Sequence, residues 1–344
     1  MTLAMKSLKI AVLGAGAWGS ALAIHLSRIG HQVKLWDHNP ENAATLESAR
    51  ENVRYLKGVP FPDSLKVHSD LKTTLTDVDA VLMVVPSQAF REVLQKMHRI
   101  MMGSKSDYHL AWATKGFEPE TSLMLHEIVQ QELGEHKSFA VLSGPTFAAE
   151  VARGLPTAMV SASRDQKEAQ FWADAFHCDT FRMYTQSDVV GVEIGGAYKN
   201  IMAIATGLSD GLRLGANARA ALVGRGMVEM MRFGEALGAK HETMMGLSGL
   251  GDLVLTCTDD LSRNRRFGLM LAQSQRPAEE VIEEIGQVVE GVKAVKAVKL
   301  IADKYQLDLP IMEQVYNIIV GHSTAEQAVK ELMRRHGRSE LEFA

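Results

Sequence analysis

Cysteine is almost missing from this chain: 344 residues hold two, Cys178 and Cys257. A disulfide framework and a cysteine-rich zinc pattern both need more, so a reducing cytoplasm is the expected setting. Apolar runs of bilayer-spanning length are lacking too. The opening Met1 to Lys9 has neither the long apolar core nor the small-residue cleavage site of a signal peptide. No excess of charge of one sign is present, since 37 basic against 41 acidic residues leave a net −4. Such a chain has no global field for nucleic acid or an anionic membrane surface, so a bound anion must be held by a local basic cluster. Nucleic-acid binding and membrane insertion are therefore not expected; small molecules and other protein chains are the expected partners. The 12 histidines are dispersed without His-Glu-x-x-His or Cys/His spacing, so no metal is expected. Gly-x-Ser-x-Gly and Walker loops are absent as well, which removes the commonest hydrolase and kinase readings.

What is present reads as a globular protein of two domains, with 46% hydrophobic and 23% charged residues. Up to about residue 185, short β-branched runs alternate with longer amphipathic stretches, the pattern of βαβ units in a parallel sheet. Eight strands are expected: Lys9–Gly14, Gln32–Asp37, Leu65–His68, Ala80–Val85, His109–Ala113, Phe139–Leu142, Thr157–Ser161 and Phe181–Tyr184. From about Val189 the period becomes helical, through Ile194, Ile201, Ile204 and Leu208. A helix starting near Gly191 is expected to join the halves directly, and the cluster Met227, Met230, Met231, Met244 and Met245 reads as adaptable helix core. The charged tail, Arg334 to Ala344, is expected to fray.

Between the first strand and the first helix stands Gly14-Ala15-Gly16-Ala17-Trp18-Gly19, a Gly-x-Gly-x-x-Gly turn in the context that binds dinucleotides. Gly14 suits the tight turn, Gly16 a close approach to pyrophosphate, and Gly19 the packing of helix on sheet. The reading is thus an α/β protein: a Rossmann-type parallel-sheet domain over residues 1–188, then an all-helical domain over 189–344. Asp37-His38 ends the second strand, where an acid receives the ribose hydroxyls of NAD and a cation favours the 2′-phosphate of NADP; a solvated turn pair is the alternative.

Other polar residues gather where strands end or helices begin. Lys115 follows the fifth strand and Ser143-Gly144-Pro145-Thr146-Phe147-Ala148 the sixth, at the edge where ligands collect in open sheets. Gly195-Gly196-Ala197-Tyr198-Lys199-Asn200 puts two glycines early in a helix, where they cost stability and call for a close approach. Lys199 there is either an ordinary solvated lysine or a group placed for acid–base work. Asp252, in Gly249-Leu250-Gly251-Asp252-Leu253, reads as a helix N-cap or as the carboxylate orienting a lysine. Ser262-Arg263-Asn264-Arg265-Arg266 offers a run of three arginines to a phosphate dianion, or a solvated face. In Gln287-Val288-Val289-Glu290-Gly291, Glu290 reads first as a turn or cap residue.

Taken in order, these motifs resemble the bacterial-type NAD(P)-dependent glycerol-3-phosphate dehydrogenases over nearly the whole chain. The resemblance runs through GAGAWGSALA, VVPS, WATKG, SGPTFAAE, GGAYKN, GANARAAL, GLGDLVLTCT, SRNRRFG and GQVVEG. It implies reversible hydride transfer between NAD(H) or NADP(H) and dihydroxyacetone phosphate/glycerol 3-phosphate, supplying phospholipid synthesis, in a cytoplasmic homodimer. It further implies Lys199 as proton donor and acceptor, with Lys115 and Asp252 tuning and orienting it. Lys115, Gly144, Thr146, Asp252, Ser262, Arg263 and Asn264 match positions for the substrate. Ala17, Trp18, His38, Lys115, Ala148, Arg263, Val288 and Glu290 match positions for the cofactor, beside Gly14, Gly16, Gly19 and Asp37 read above. Asp37 departs from the non-acidic residue of many bacterial members, which counts against their common NADP preference. Two rival readings are a related hydroxyacid or phosphogluconate-type dehydrogenase and a non-catalytic NAD-binding redox sensor.

Overall fold

The computed structural model describes residues 7–102, 108–274 and 276–335. The expectations for the opening up to residue 6 and for the tail from residue 336 lie outside them. The chain divides into two compact units, one running up to Lys115 and from Leu125 to Val189, the other comprising Gly116–Met124 and the chain from Val190 onward.

The first unit is built on one sheet of strands β1 Lys9–Leu13, β2 Gln32–Trp36, β3 Leu65–His68, β4 Ala80–Met83, β5 His109–Trp112, β6 Ala140–Ser143, β7 Thr157–Ala162 and β8 Phe181–Gln186. All eight expected strands form, with ends shifted by a residue or two. Their spatial order is β3-β2-β1-β4-β5-β6-β7-β8. Val12 of β1 stands opposite Leu35 of β2 on one side and Leu82 of β4 on the other, so the order reverses between β1 and β4. Ligands bind beyond the strand ends at such a reversal. Ile10 to Leu13 are wholly buried and β4 and β6 are buried along their length. This is why these strands read as continuous apolar runs rather than alternating ones.

The expectation of a parallel sheet holds for β1 to β6 and is corrected beyond them: β7 runs antiparallel to β6, and β8 parallel to β7. The link from β6 to β7 carries only helix Ala148–Arg153. Six helical residues rise about 9 Å. That helix is held against the helix after β1, where the Arg28 guanidinium donates to the Ala152 carbonyl at 2.7 Å. So short and tethered a connection returns the chain to the edge it left, which makes the next strand antiparallel.

The helix after β1, α1, spans Ala17–Arg28 and is buried from Gly19 to Ser27. It stops at a Schellman turn in which His31 N–H donates to Leu26 O (3.1 Å), Gly30 N–H donates to Ser27 O (3.1 Å) and Gly30 takes φ +106°. Two histidines then cap the end of the helix before β8, Gln166–Phe176: His25 Nε2 donates to Phe176 O (2.8 Å) and His31 Nε2 to Ala175 O (2.9 Å). His25 also packs against the Phe176 and Phe181 rings. Burial pushes the His25 imidazole down to about 4 and lowers His31.

The second unit is helical, apart from the Gly116–Met124 segment, whose Phe117 and Met124 join its core. Its first helix, α2 here, spans Val189–Gly211, beginning two residues before the expected point; α3 is Gly215–Ala236. A short helix, His241–Met244, leads through a π turn, Leu247–Gly251, into α4 Asp252–Thr258. Then follow α5 Arg263–Ser274, α6 Ala278–Ile285, α7 Glu290–Tyr305, α8 Pro310–Ile319 and α9 Ala325–Arg334. Met227, Met230 and Met244 lie in the core as expected and Met231 packs against it, but Met245 is 54% exposed. It caps the short helix, where the chain turns outward. The buried Glu229 of α3 accepts from Ile311 N–H (2.6 Å), Met312 N–H (3.1 Å) and Tyr198 O–H (3.2 Å), tying α2 and α3 to the start of α8. Among the described residues, no helix is long and apolar enough to cross a membrane.

The buried histidines set an acid limit. An unfolded histidine titrates near 6.5, whereas His25 in place takes its proton only near 4. Above pH 6.5 both states are neutral and this contribution is complete; as pH falls toward 4, the unfolded state alone gains a proton. The lost stability reaches on the order of 3 kcal/mol by pH 4. Thermal unfolding of the native protein should therefore drop more steeply between pH 6.5 and 4 than that of His25→Gln. Parallel curves would show that His25 is not held neutral.

Candidate active site

In the first unit, the glycines of the turn after β1 answer different needs. Gly14 has φ +117°, and a Cβ on it would stand 2.7 Å from Val84 O; one on Gly19 would stand 1.8 Å from Gly14 O. These two let the turn lie on the end of β4 and let α1 pack onto the turn. A Cβ on Gly16 would meet no atom within 4 Å. Gly16 is the N-cap of α1 and has no side chain to accept the first helical N–H groups. Bare N–H groups at a glycine-lined helix start form a cradle that fits a dinucleotide pyrophosphate. Ala17 and Trp18, half-buried, make the first turn above it.

Asp37 is buried, and its carboxylate closes the turn into the next helix, accepting from Asn39 N–H (2.8 Å) and the Asn42 amide (2.5 Å). His38 is the exposed member of the pair, its side chain 84% accessible. The two members of the pair thus differ: Asp37 is held inside the turn, and His38 stands in solvent. Past β5, the Thr114 hydroxyl donates to Val85 O (2.7 Å), tying the loop that carries half-buried Lys115 to the loop after β4. Past β6, Gly144 has φ +158° and its Cβ position is crowded by Ala158 O and Met159 Cα, both at 3.0 Å. The Thr146 hydroxyl donates to Gly144 O (3.2 Å), and Ala148 opens the following helix half-buried.

In the second unit, Lys199 is 7% exposed, which excludes the ordinary solvated lysine. Its Nζ donates to Asp252 Oδ1 at 2.6 Å and to Thr256 Oγ1 at 3.1 Å. Asp252, 1% exposed, is the first residue of α4 and not its N-cap, which is Gly251. Thr256 lies one helical turn later on the same face, and its hydroxyl donates to Asp252 O (2.6 Å). Sequence reasoning missed Thr256, although its i+4 spacing from Asp252 carries the signal.

The early glycines of α2 explain how the lysine meets its carboxylate. A Cβ on Gly195 would stand 2.3 Å from Ser248 O and 3.1 Å from Gly249 Cα. The helix therefore touches the π turn backbone to backbone, and Lys199, one turn beyond Gly195, lies level with Asp252 just past that turn. Single π turns recur at functional sites. Beside Lys199, Asn200 Oδ1 accepts from the Asn264 amide (2.9 Å), whose Oδ1 accepts from Gly291 N–H (2.9 Å). These bonds join α2, α5 and the start of α7.

The run of three arginines does not act as one cluster. Arg265 is turned inward by ion pairs with Asp210 and Asp260. Arg266 is exposed, while half-buried Arg263 reaches Gln287 Oε1 at 3.3 Å. Arg263 and Arg265, two positions apart on the helix, point about 160° away from one another, so these two cannot converge on one anion. Ser262 is buried, and its hydroxyl accepts the Arg265 N–H at the start of α5. Glu290 is the first residue of α7 rather than its cap, which is Val289, and Val288 is 39% exposed. Burial pushes the Cys257 thiol up to about 12, which leaves it protonated and unreactive.

A doubly wound sheet with a glycine cradle at its reversal, and a helical unit holding a buried lysine–aspartate pair, define a dinucleotide-binding oxidoreductase architecture. Family models agree: residues 9–169 match the NAD-dependent glycerol-3-phosphate dehydrogenase N-terminus and residues 188–330 its C-terminus. The chain belongs to the NAD-dependent glycerol-3-phosphate dehydrogenase family, and it is an NAD(P)-dependent enzyme. It is 95% identical, over the full length of both chains, to the glycerol-3-phosphate dehydrogenase, NAD(P)+, of Hydrogenovibrio crunogenus. It is 50% identical to that of Thioalkalivibrio sulfidiphilus over 96% of this chain and 98% of the other. The crystal structure of glycerol-3-phosphate dehydrogenase from Coxiella burnetii superposes with a TM-score of 0.91 at 45% identity, covering 96% of this chain and 99% of that one. Family membership sets aside both rival readings, the hydroxyacid-type dehydrogenase and the silent sensor.

Two glycines separate close approach from helix propensity. Gly195→Ala should destabilise the protein by about 1–3 kcal/mol, because backbone faces the new methyl. Gly224→Ala, in α3 with no atom within 4 Å of its Cβ position, should stabilise it by up to ~1 kcal/mol. Urea unfolding of both variants checks the pair; equal effects would mean that Gly195 does not lie against the π turn.

Proposed function

We propose that this chain interconverts dihydroxyacetone phosphate and glycerol 3-phosphate with Lys199 as the proton donor and acceptor. The observation that carries this reading is the buried Lys199–Asp252 pair with Thr256 beside it. When bound, NAD(P)H supplies the hydride that adds to C2 of the ketone. Charge then develops on the C2 oxygen, and a positioned ammonium that gives up its proton lowers the barrier. Asp252 and Thr256 fix the Lys199 Nζ, so its proton lies ready along one direction instead of wandering among rotamers. In the reverse direction, the neutral amine takes the hydroxyl proton.

The remaining assignments rest on the resemblance to the family, carried over residue by residue. Gly14, Gly16, Ala17, Trp18 and Gly19 would hold the pyrophosphate, with Asp37 and His38 at the adenosine ribose. Lys115, Ala148, Arg263, Val288 and Glu290 complete the cofactor set. Arg263, Ser262 and Asn264 would anchor the substrate phosphate, with Lys115, Gly144 and Thr146 at its other oxygens. The first unit is the cofactor domain and the second the substrate domain. Action as a homodimer in the cytoplasm, supplying glycerol 3-phosphate for phospholipid synthesis, completes the reading.

Two measurements test it. Dihydroxyacetone phosphate should be turned over far more efficiently than unphosphorylated dihydroxyacetone, because the phosphate makes charge-assisted bonds that orient the carbonyl; equal kcat/KM would remove the phosphate anchor. Lys199→Ala should lower kcat by a factor on the order of 10² to 10⁴ while NADH affinity stays unchanged. Lys199→Arg should restore little, because a guanidinium does not release its proton near neutral pH. Near-native kcat in the alanine variant would make Lys199 a structural residue.

A further inference from the structure

Asn52 lies in the connection between the helix Pro40–Ala49 and β3, more than thirty residues from the glycine turn, yet it is 2% exposed and bonded to that turn. Its amide nitrogen donates to Ala15 O (3.1 Å) and to Ser20 Oγ (2.8 Å). The Ser20 hydroxyl in turn donates to the same Ala15 carbonyl (3.3 Å). Asn52 is itself held firmly: its Oδ1 accepts from Tyr55 N–H (3.3 Å), and its backbone carbonyl accepts from Tyr55 N–H (3.2 Å) and Leu56 N–H (2.7 Å). A buried primary amide with both donors spent on one peptide group and its neighbouring hydroxyl is a fixed part, not a surface contact.

The peptide it grips joins Ala15 to Gly16 and is trans, as no cis bond is present among the described residues. A trans peptide points its C=O and N–H to opposite sides. With the Ala15 carbonyl drawn inward onto Asn52 and Ser20, the Gly16 N–H is turned the other way, out of the buried side of the turn. Gly16 has no Cβ to resist rotation of this peptide, and Gly14 on the other side already takes a φ open mainly to glycine. A turn made permissive for a close-lying ligand is therefore also permissive for a flipped peptide. A flip would present a carbonyl oxygen, instead of an N–H, to an anion.

We infer that Asn52 is a positioning residue for the cofactor: it locks the Ala15–Gly16 peptide so that the Gly16 N–H faces the dinucleotide pyrophosphate. This rests on the reading that the Gly14–Gly19 turn binds the dinucleotide. Asn52 touches neither cofactor nor substrate in this scheme; it acts through the peptide.

Asn52→Asp tests it, because the shape and the acceptor for Tyr55 remain while both donors are lost. The Kd for NADH, followed by nicotinamide fluorescence, and the KM for NADH should rise about 10- to 100-fold, the worth of a misdirected charge-assisted hydrogen bond. At saturating NADH, kcat should stay within about two-fold and the KM for dihydroxyacetone phosphate should not move, since uniform loss of cofactor binding leaves the chemical step alone. Ser20→Ala removes one donor to the same carbonyl and the acceptor of one Asn52 N–H while leaving the Asn52 side chain in place, and should raise the Kd several-fold; it carries the test if Asn52→Asp does not fold. Destabilisation alone would lower the active fraction and the melting temperature at unchanged Kd. That result, or native Kd in folded variants, overturns the proposal. If the native protein itself binds neither NADH nor NADPH, the underlying reading of the turn fails instead.

Discussion

A lysine ammonium buried in a helical core must have a counter-charge within reach, and this one requirement organises the second unit. Leaving such a charge unpaired costs several kcal/mol, more than most other contacts in the unit contribute. Lys199 meets it with Asp252, and the surrounding features serve that contact. Gly195 brings α2 onto the π turn, the π turn delivers Asp252 at the start of α4, and Thr256 completes the set one turn later. Buried ion pairs are weak sources of stability because desolvation offsets their attraction. The pair is therefore better understood as a device for holding Nζ in one place, which the proposed proton transfer needs.

The first unit solves the opposite problem. A pyrophosphate at the proposed cradle would be bound by backbone N–H groups, so side chains have to be kept away and peptide planes held in the right sense. Glycine supplies the room at Gly16 and the backbone contacts at Gly14 and Gly19, and so removes the local stiffness that would fix the turn. Rigidity has to come from outside the motif, and Asn52 and Ser20 bring it through the Ala15 carbonyl. The unit then rests on a sheet whose central strands are buried on both faces, with His25 and His31 pinning the C-terminal end of a distant helix to α1 and the turn after it.

Much of this was legible in the sequence, because local patterns carry it. Eight strands, the helix after the glycine turn and the change to helical period near Val189 follow from hydrophobic spacing, and the ordered motifs from GAGAWG to GQVVEG point to one family. The pairing of Lys199 with Asp252 was one of two open alternatives, since fifty-three positions separate them and spacing alone does not say which residues meet. The arginine run offers either an anion site or a solvated face; the structure divides it, because Asp210 sits where α2 crosses α5 and claims Arg265.

The sequence by itself determined the class of each half, the presence of the cradle and the residue types available for chemistry, because these depend on periodicity and on glycine's missing side chain. Only the tertiary structure decided the direction of β7 and β8, the burial of Asp37 beside an exposed His38, the service of Thr256 to Lys199, and the reach of Asn52 to the Ala15 carbonyl. Each of those is a long-range contact or a competition for one partner. Their outcome is set by which backbones can approach closely enough to exclude water, a property of packing that no window of sequence contains.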